Sequence, residues 1–238
     1  MASDMSPAPT RSSSGVRSQT LARSLDVLQT LADGKPRTSQ ELADNLGLHR
    51  SVIYRALRTF EDYSLVTRAA DGRFLLGLGM AGLAKTAMGD LEAQIEAVLQ
   101  ELSNVSSATA IFCGPQREEA VVLTSTRPTQ RLASVAIRVG MRFSLTQSAP
   151  GLAILALQPP REHEIDEVAL ARQTGFVHTK GAPFVSLEVV AVPVEMPDGQ
   201  EASLSLIFPT DDGDVAVMFR HLRAYKERLT TPTEAWEI

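Results

Sequence analysis

The N-terminal part of the chain contains three stretches in which apolar residues recur at helical spacing. The first, 19–33, is followed by the turn-forming residues 33–36; the box Thr38-x-x-Glu41 starts the second, and Gly47 ends it. The apolar stripes are Leu21, Leu25, Leu28 and Ala32, then Leu42, Ala43 and Leu46, then Ile53, Ala56, Leu57 and Phe60. Three helices with a glycine in the second turn predict a helix-turn-helix.

Two short β-like runs follow the third helix. Residues 65–68 and 73–76 flank 69–72, where Asp71-Gly72 is a strong hairpin signal. A hairpin directly after a helix-turn-helix predicts a winged DNA-binding domain over 18–76.

The rest of the chain mixes helical and strand patterns. Residues 77–106 predict helix with a break at Gly89-Asp90, and we assign 77–90 to a linker helix and 91–230 to a second domain. Predicted strands of one sheet are 108–113, 120–126, 132–139, 189–194 and 202–208, and predicted helices are 150–157, 161–174 and 215–229. This order predicts an α+β fold, in which helices flank an antiparallel sheet.

Charge is divided unevenly between the two halves. The net charge of the 238 residues is −5, but residues 1–90 hold 11 Lys+Arg against 9 Asp+Glu, whereas 91–238 carry a net −7. Phosphate contacts need local positive charge, so any DNA-binding surface is expected in the first half. The Ser-, Ala- and Pro-rich residues 1–17 predict a disordered arm, and 231–238 a C-terminal tail.

Several classes of protein are not supported by the residues present. The single Cys113 cannot form an internal disulfide, no residue spacing indicates a metal site, and we expect no cofactor. The longest apolar run, 152–157, is too short to span a bilayer, and no apolar core of a signal peptide is present. A cytoplasmic protein is the expectation. Cys113 is expected to be a buried small side chain, and His163, His178 and His221 are too scattered to indicate ligands.

The polar face of the third helix is the candidate DNA-reading surface. Its side chains can donate to phosphates or base edges, and the candidates are Arg50, Ser51, Tyr54, Arg55, Arg58 and Thr59. Base contacts are expected near the helix N-terminus and a phosphate contact at Arg58. Arg68 and Arg73 on the wing, and Arg11 or Arg17 in the arm, either touch the DNA backbone or minor groove or are simply solvated.

Residues 77–82 form a literal G-x-G-x-x-G sequence. A dinucleotide site would need a parallel βαβ unit, but the strand before these glycines is predicted to close an antiparallel hairpin. We therefore interpret the glycines as allowing a close turn out of the wing and a bendable linker.

These residues resemble the isocitrate lyase regulator (IclR) family. The resemblance lies in 42–51, 55–57 and 73–77 of the first domain. In the second it lies in 139–140, 148–151, 174–176, 190–194 and 203–205. Membership implies a winged helix-turn-helix, a linker helix and an effector domain. It also implies homodimers or homotetramers that bind double-stranded operator DNA and respond to organic or aromatic acids.

An effector pocket is expected where backbone N–H groups and hydroxyls can hold a carboxylate beside apolar walls. The candidates are Gly140, Ala149, Pro150, Lys180, Val189, Ser203 and Ser205. The alternative for the two serines is that they face outward or pair with neighbours on a strand.

Three departures from the family pattern fall in this domain. Leu152 stands where the family usually has a lysine, and the stretch between Leu157 and Gly175 is shorter than usual. Residues 179–181 replace acidic positions, and Lys180 would favour an anionic ligand if it faces the pocket. Two alternative functions remain beside a ligand-responsive regulator: a constitutive DNA-binding protein whose second domain only oligomerises, and an enzyme with a DNA-binding tether. No catalytic motif supports the enzyme.

Overall fold

The computed structural model describes residues 18–130, 134–181 and 185–230. The chain divides into two compact units, Met1–Ala84 and Lys85–Ile238. The predicted arm 1–17, with Arg11 and Arg17, and the predicted tail 231–238 lie outside the described residues.

The first unit is a winged helix-turn-helix, as predicted. Its elements are α1 (Gln19–Leu31), α2 (Ser39–Leu46), α3 (Arg50–Asp62), β1 (Val66–Arg68) and β2 (Phe74–Leu76). The capping box is present, since the Thr38 hydroxyl accepts from the N–H of Glu41 and the Glu41 carboxylate accepts from that of Thr38. Gly47 ends α2 with φ +60°, which an L side chain rarely adopts.

The predicted stripes of α2 and α3 contribute to the core of this unit, but the stripe predicted for the first helix is wrong, because Leu21 and Leu25 are exposed and Val27 and Leu31 face the core instead. The fully buried side chains are Val27, Leu31, Leu42, Ile53 and Leu57, and Phe60, Val66 and Phe74 close the cluster. The wing pairs Val66 with Leu76 in antiparallel register, and Gly72 has φ +85° in its turn.

The glycines after the wing permit close backbone packing. A Cβ at Gly77 would lie 2.3 Å from the carbonyl oxygen of Ser64, and one at Gly79 would lie 2.7 Å from the same atom. The preceding strand is antiparallel to its partner, so the dinucleotide motif has no parallel βαβ unit around it. The helical stretch breaks at Gly89 (φ +49°) into α4 (Gly79–Met88) and α5 (Asp90–Ser106).

A six-stranded antiparallel sheet dominates the second unit, in the order β5-β4-β3-β8-β7-β6. Its strands are β3 (Thr109–Gln116), β4 (Glu119–Thr126), β5 (Arg142–Ser144), β6 (Val177–Lys180), β7 (Leu187–Glu195) and β8 (Glu201–Pro209). The helices are α6 (Ala149–Leu155), α7 (Asp166–Thr174) and α8 (Val215–Thr230).

Alternate residues of the central strands supply two separate cores, one on each face of the sheet. On one face, Phe112, Leu204 and Leu206 pack with buried residues of α5 and α8. On the other, Ile111, Ala191 and Ile207 pack with buried residues of α6 and α7. We call these the α5–α8 face and the α6–α7 face. The predicted antiparallel sheet flanked by helices is confirmed.

The predicted strand 132–139 is wrong, and the strands β5 and β6 were not predicted. Residues 131–133 lie outside the described part, and 134–139 form no strand. The carbonyl oxygen of Val135 accepts from the Thr109 hydroxyl (2.6 Å), while β5 and Gly140-Met141 occupy the edge of β4. The strand-like alternation arises because Val135 and Ile137 both pack against the α6–α7 core.

Candidate nucleic-acid interface and effector site

The polar face of α3 is exposed while its apolar stripe is buried. Ile53, Ala56, Leu57 and Phe60 are in the core. All six candidate side chains are exposed: Arg50, Ser51, Tyr54, Arg55, Arg58 and Thr59. Positions three and four apart on a helix share a face, so the candidates 51, 54, 55 and 58 form one surface. The fold thus holds these groups on a rigid element and directs them to solvent.

The N-terminus of α3 lacks a side-chain cap. Ser18 and Thr38 cap α1 and α2, but the N-cap residue His49 makes no such hydrogen bond. The first N–H groups of a helix carry partial positive charge and suit a phosphate oxygen. Arg50, the next residue, donates its Nε to the Ser39 hydroxyl at 3.3 Å.

Two of the candidate side chains already interact within α3. Arg55 donates its Nε to the Ser51 carbonyl (3.3 Å), and the Thr59 hydroxyl donates to the Arg55 carbonyl (3.1 Å). Thr59 is therefore left with acceptor lone pairs, whereas Arg55 keeps its terminal nitrogens for an external acceptor. Arg58 forms no ion pair with the residues that the structure describes.

The two wing arginines differ in their surroundings. Arg68 is exposed, donates to the Gly72 carbonyl (3.3 Å) and lies over the Phe74 ring with its Cζ 5.4 Å from the centroid. Arg73 has carboxylate oxygens of Glu41 and Asp71 at 3.6 Å each, and it also donates to the Pro36 carbonyl. The charge of Arg73 is thus largely balanced by the carboxylates of Glu41 and Asp71. Arg68 has no carboxylate partner among the described residues.

Ser203 and Ser205 lie side by side on the α6–α7 face of β8. They share this face because they alternate with Leu204 and Leu206, which belong to the opposite core. Both serines are fully buried, and neither hydroxyl has a nitrogen or oxygen partner among the described residues. Buried hydroxyls are normally paired. The Ser203 hydroxyl lies against the buried Cys113 thiol, a weak partner, and Ser205 has none among the described residues, so the pair points to a polar group that the chain itself does not supply.

Three of the other predicted effector residues are also buried, and a fourth lies at a strand edge. Val189 and Ala149 are buried in the same core, and Pro150 is buried in the first turn of α6. Gly140 (φ +83°) lies at the β4 edge, where its N–H donates to the Val122 carbonyl at 2.8 Å. The backbone N–H of Gly140 is thus already used, which removes one of the donors expected for a carboxylate.

Lys180 does not join this group. It pairs in register with Glu188, which in turn pairs with Phe208 of the α5–α8 core, so Lys180 lies on the opposite face of the sheet. Its Nζ is 3.3 Å from Glu188 Oε1, and His178 Nε2 is 2.7 Å from Oε2. Burial opposes ionisation of Glu188, but these two hydrogen bonds outweigh it and lower the pKa of the carboxyl.

The remaining chemical candidates are inert or structural. Cys113 is the cross-strand partner of Ser203, and burial raises the pKa of its thiol, so it is a poor nucleophile. Within the described residues no cluster of metal-ligating side chains is found. None of the described helices is long and apolar enough to span a membrane.

Sequence reasoning missed three structural features of these candidate sites. One is the absent cap at His49, which the identity of the residue signals because histidine is a poor N-cap. The others are the Arg50–Ser39 contact and the Lys180–Glu188 pair, and only the packing of separate elements creates these.

Comparison with known proteins identifies relatives over nearly the whole chain. Residues 20–70 match the model of the IclR helix-turn-helix domain. An HTH-type transcriptional regulator of Mycobacterium tuberculosis is 30% identical over 226 residues, which covers 79% of this chain and 87% of that protein.

Solved structures share the fold. An IclR transcriptional regulator from Alicyclobacillus acidocaldarius is 22% identical, with a TM-score of 0.77 over 90% of this chain and 98% of that one. An IclR homologue from Microbacterium hydrocarbonoxydans, complexed with 4-hydroxybenzoate, is 21% identical, with a TM-score of 0.71 over 89% of this chain and 98% of that one.

Proposed function

This chain belongs to the IclR family of DNA-binding transcriptional regulators, and from that premise we propose that it reads operator DNA through α3 and responds to an organic or aromatic acid bound in its second unit. The observation that carries the effector half is the buried pair of hydroxyls at Ser203 and Ser205, which have no nitrogen or oxygen partner among the described residues. The exposed polar face of α3 supports the DNA half.

In the proposed DNA complex, α3 lies in the major groove. Arg50, Ser51, Tyr54 and Arg55 contact base edges near the helix N-terminus, and Arg58 contacts phosphate. Arg68 reaches the backbone or minor groove from the wing. Arg73 is the weakest of the predicted contacts, because Glu41 and Asp71 already balance its charge.

The DNA proposal is tested with sites selected from a random library by the full chain. The double variant Arg50→Ala, Arg55→Ala should lose about tenfold or more in an electrophoretic shift assay, since a bidentate base contact contributes about 1–3 kcal/mol. Arg23→Ala, an exposed arginine of α1, is the matched control. Undiminished binding by the double variant would refute the assignment of α3.

The proposed effector carries a carboxylate or hydroxyl that pairs with Ser203 and Ser205 while its apolar part contacts Val189 and Ala149. The complex of the Microbacterium protein with 4-hydroxybenzoate makes that acid a rational first probe. Entry to the site requires movement of residues 134–141, because Val135 and Ile137 pack over the same face.

Thermal melting against a library of organic and aromatic acids tests the effector half. A ligand at 100 times its dissociation constant stabilises the folded state by about 2.7 kcal/mol. We expect a shift with wild type and none with the variant Ser203→Val, Ser205→Val. A flat response of the wild type across the library would favour the alternative in which the second unit only oligomerises.

The proposed mechanism links the two sites through the linker. Effector binding biases the orientation of domains or subunits and so changes the spacing of two recognition helices, which must fit half-sites about one DNA turn apart or a multiple of it. We expect homo-oligomers for this reason. An acid that raises the Tm but leaves operator affinity and transcription unchanged would contradict the coupling.

A further inference from the structure

A pocket lies on the α5–α8 face of the sheet, opposite Ser203 and Ser205. Its volume is about 450 Å³, within the range of small-molecule pockets. Leu91 and Ile95 line it from the first turns of α5, and Phe112 lines it from β3. It is therefore separate from the proposed effector site.

The walls of this pocket are largely apolar. Ile95, Phe112 and Met196 belong to the α5–α8 core and are at most 5% exposed. Gly114 in β3 adds no side chain, and a Cβ there would lie 3.0 Å from Leu123 Cδ1. Leu123 in β4 is 41% exposed and adds an accessible apolar wall. Such walls fit a ring or hydrocarbon of drug-like size.

One polar group in the pocket has no partner. The Oε1 atom of Gln116 is buried and forms no hydrogen bond with the described residues. The other polar side chains are occupied, because Gln200 donates to Asp198 and Glu201 accepts from Gln158. A carboxamide oxygen that receives no hydrogen bond favours a ligand with one hydroxyl or amide N–H group, which would reach this atom after a turn of the Gln116 side chain.

The charge of the lining residues bears on the kind of ligand that this pocket suits. The described lining residues include one carboxylate, Glu201, and no lysine or arginine. The Glu201 carboxylate turns to Gln158, and an anion in the pocket would find no cation among the described lining residues to balance it. Neutral molecules are therefore preferred.

We propose that this pocket binds a neutral, mainly apolar molecule, such as a phenol or an aromatic amide, whose polar group pairs with Gln116. The pocket adjoins the joint between α4 and α5, since Leu91 follows Gly89 by two residues. A ligand in contact with Leu91 and Ile95 ties the start of α5 to the sheet. We expect binding at this pocket to require neither operator DNA nor an acid effector.

The test measures binding of 2-naphthol to the full chain by titration calorimetry. Wild type should bind one molecule per pocket, and Leu123→Trp, which places an indole at the pocket, should weaken binding at least about tenfold, or 1.4 kcal/mol. Leu170→Trp is the matched control, because Leu170 is also exposed (56%) but lies on α7, against the other face. It should bind as wild type does.

A second variant avoids the added bulk. Gln116→Leu removes the hydrogen-bonding group at similar size and should weaken 2-naphthol binding about fivefold. 2-Naphthoate, the same ring system with a carboxylate, should bind to this pocket at least about tenfold more weakly than 2-naphthol. Absence of saturable 2-naphthol binding, or equal binding by wild type and a folded Leu123→Trp, would overturn the proposal. Either result leaves the acid response through Ser203 and Ser205 untouched.

Discussion

The Nε of Arg50 lies 3.3 Å from the Oγ of Ser39, so the first residue of α3 is tied to the first residue of α2. Ser39 is 8% exposed, and its hydroxyl is therefore a rigid support for the guanidinium. A tethered arginine loses less side-chain entropy when it binds DNA than a free one.

Ser39→Ala should therefore lower operator affinity about threefold to tenfold, on the scale of one hydrogen bond, while the domain stays folded. An electrophoretic shift assay on library-selected DNA measures this, with Thr20→Ala on α1 as the control. Wild-type affinity in Ser39→Ala would show that Ser39 does not position Arg50.

Arg58 is assigned to phosphate and not to a base, and salt dependence separates these roles. Arg58→Ala should weaken binding to all sequences alike and reduce the slope of log affinity against log salt by about 0.9. Measurement of affinity from 50 to 200 mM salt gives that slope. A change of sequence preference with an unchanged slope would reassign Arg58 to base contact.

Ser205 carries a buried hydroxyl without a partner, and so does Ser103 on α5. Each serine replaced by alanine should leave the Tm unchanged or raise it, because no hydrogen bond is lost and a buried polar group is removed. Only Ser205→Ala should reduce the stabilisation by an acid effector, which melting curves with and without ligand measure. Equal acid responses of the two variants would contradict the proposed site.

Gly77 and Gly82 lie on the same segment, but only Gly77 packs closely against other backbone atoms. Gly77→Ala places a Cβ against the Ser64 carbonyl at 2.3 Å and should cost about 2 kcal/mol or more. Gly82→Ala meets nothing within 4 Å and should stabilise α4 by up to about 1 kcal/mol. Chemical denaturation of both variants measures the difference, and similar stabilities would show that the close approach to Ser64 is not required.

Asp33 and Arg37 link the end of α1 to the start of α2, with Nη1 2.6 Å from Oδ1. The hydrogen bond from Arg37 lowers the pKa of the Asp33 carboxyl to about 2. A carboxyl with a lowered folded-state pKa stabilises the fold above its unfolded pKa of about 3.9, and the contribution is lost as pH falls towards 2.

The free energy of unfolding of wild type should therefore exceed that of Asp33→Asn above about pH 5, by less than about 1 kcal/mol because the pair is partly exposed. The difference should shrink between pH 4 and 2. Urea titrations over this range measure it, with Asp44→Asn as a reference for a general charge effect. A constant difference across the range would exclude the ion pair as its source.

Local signals in the sequence were sufficient to predict most of the first unit. Thr38 and Glu41, three residues apart, cap α2. Gly47 and Gly72 adopt the positive φ angles that their turns require. These interactions are complete within a few residues of chain, so the order of amino acids determines them.

Contacts between distant segments could not be predicted in this way. The apolar alternation of 134–139 suits both a strand and an irregular segment that packs on a sheet. In the structure β5, and not this segment, pairs with the edge of β4. The side of the sheet on which Lys180 lies depends on the pairing of β6 with β7, which joins residues of separate segments.

The sequence by itself determined the winged helix-turn-helix and the exposed polar face of its third helix, and it predicted that Ser203 and Ser205 share one face of a strand. Only the tertiary structure decided that these two hydroxyls are buried without a nitrogen or oxygen partner among the described residues, that Lys180 lies on the other face beside Glu188, and that a largely apolar pocket lies beside α5. The physical reason is that the periodicity of the sequence determines which side chains share a face of a helix or strand. Strand register and packing between distant segments determine which residues that face contacts.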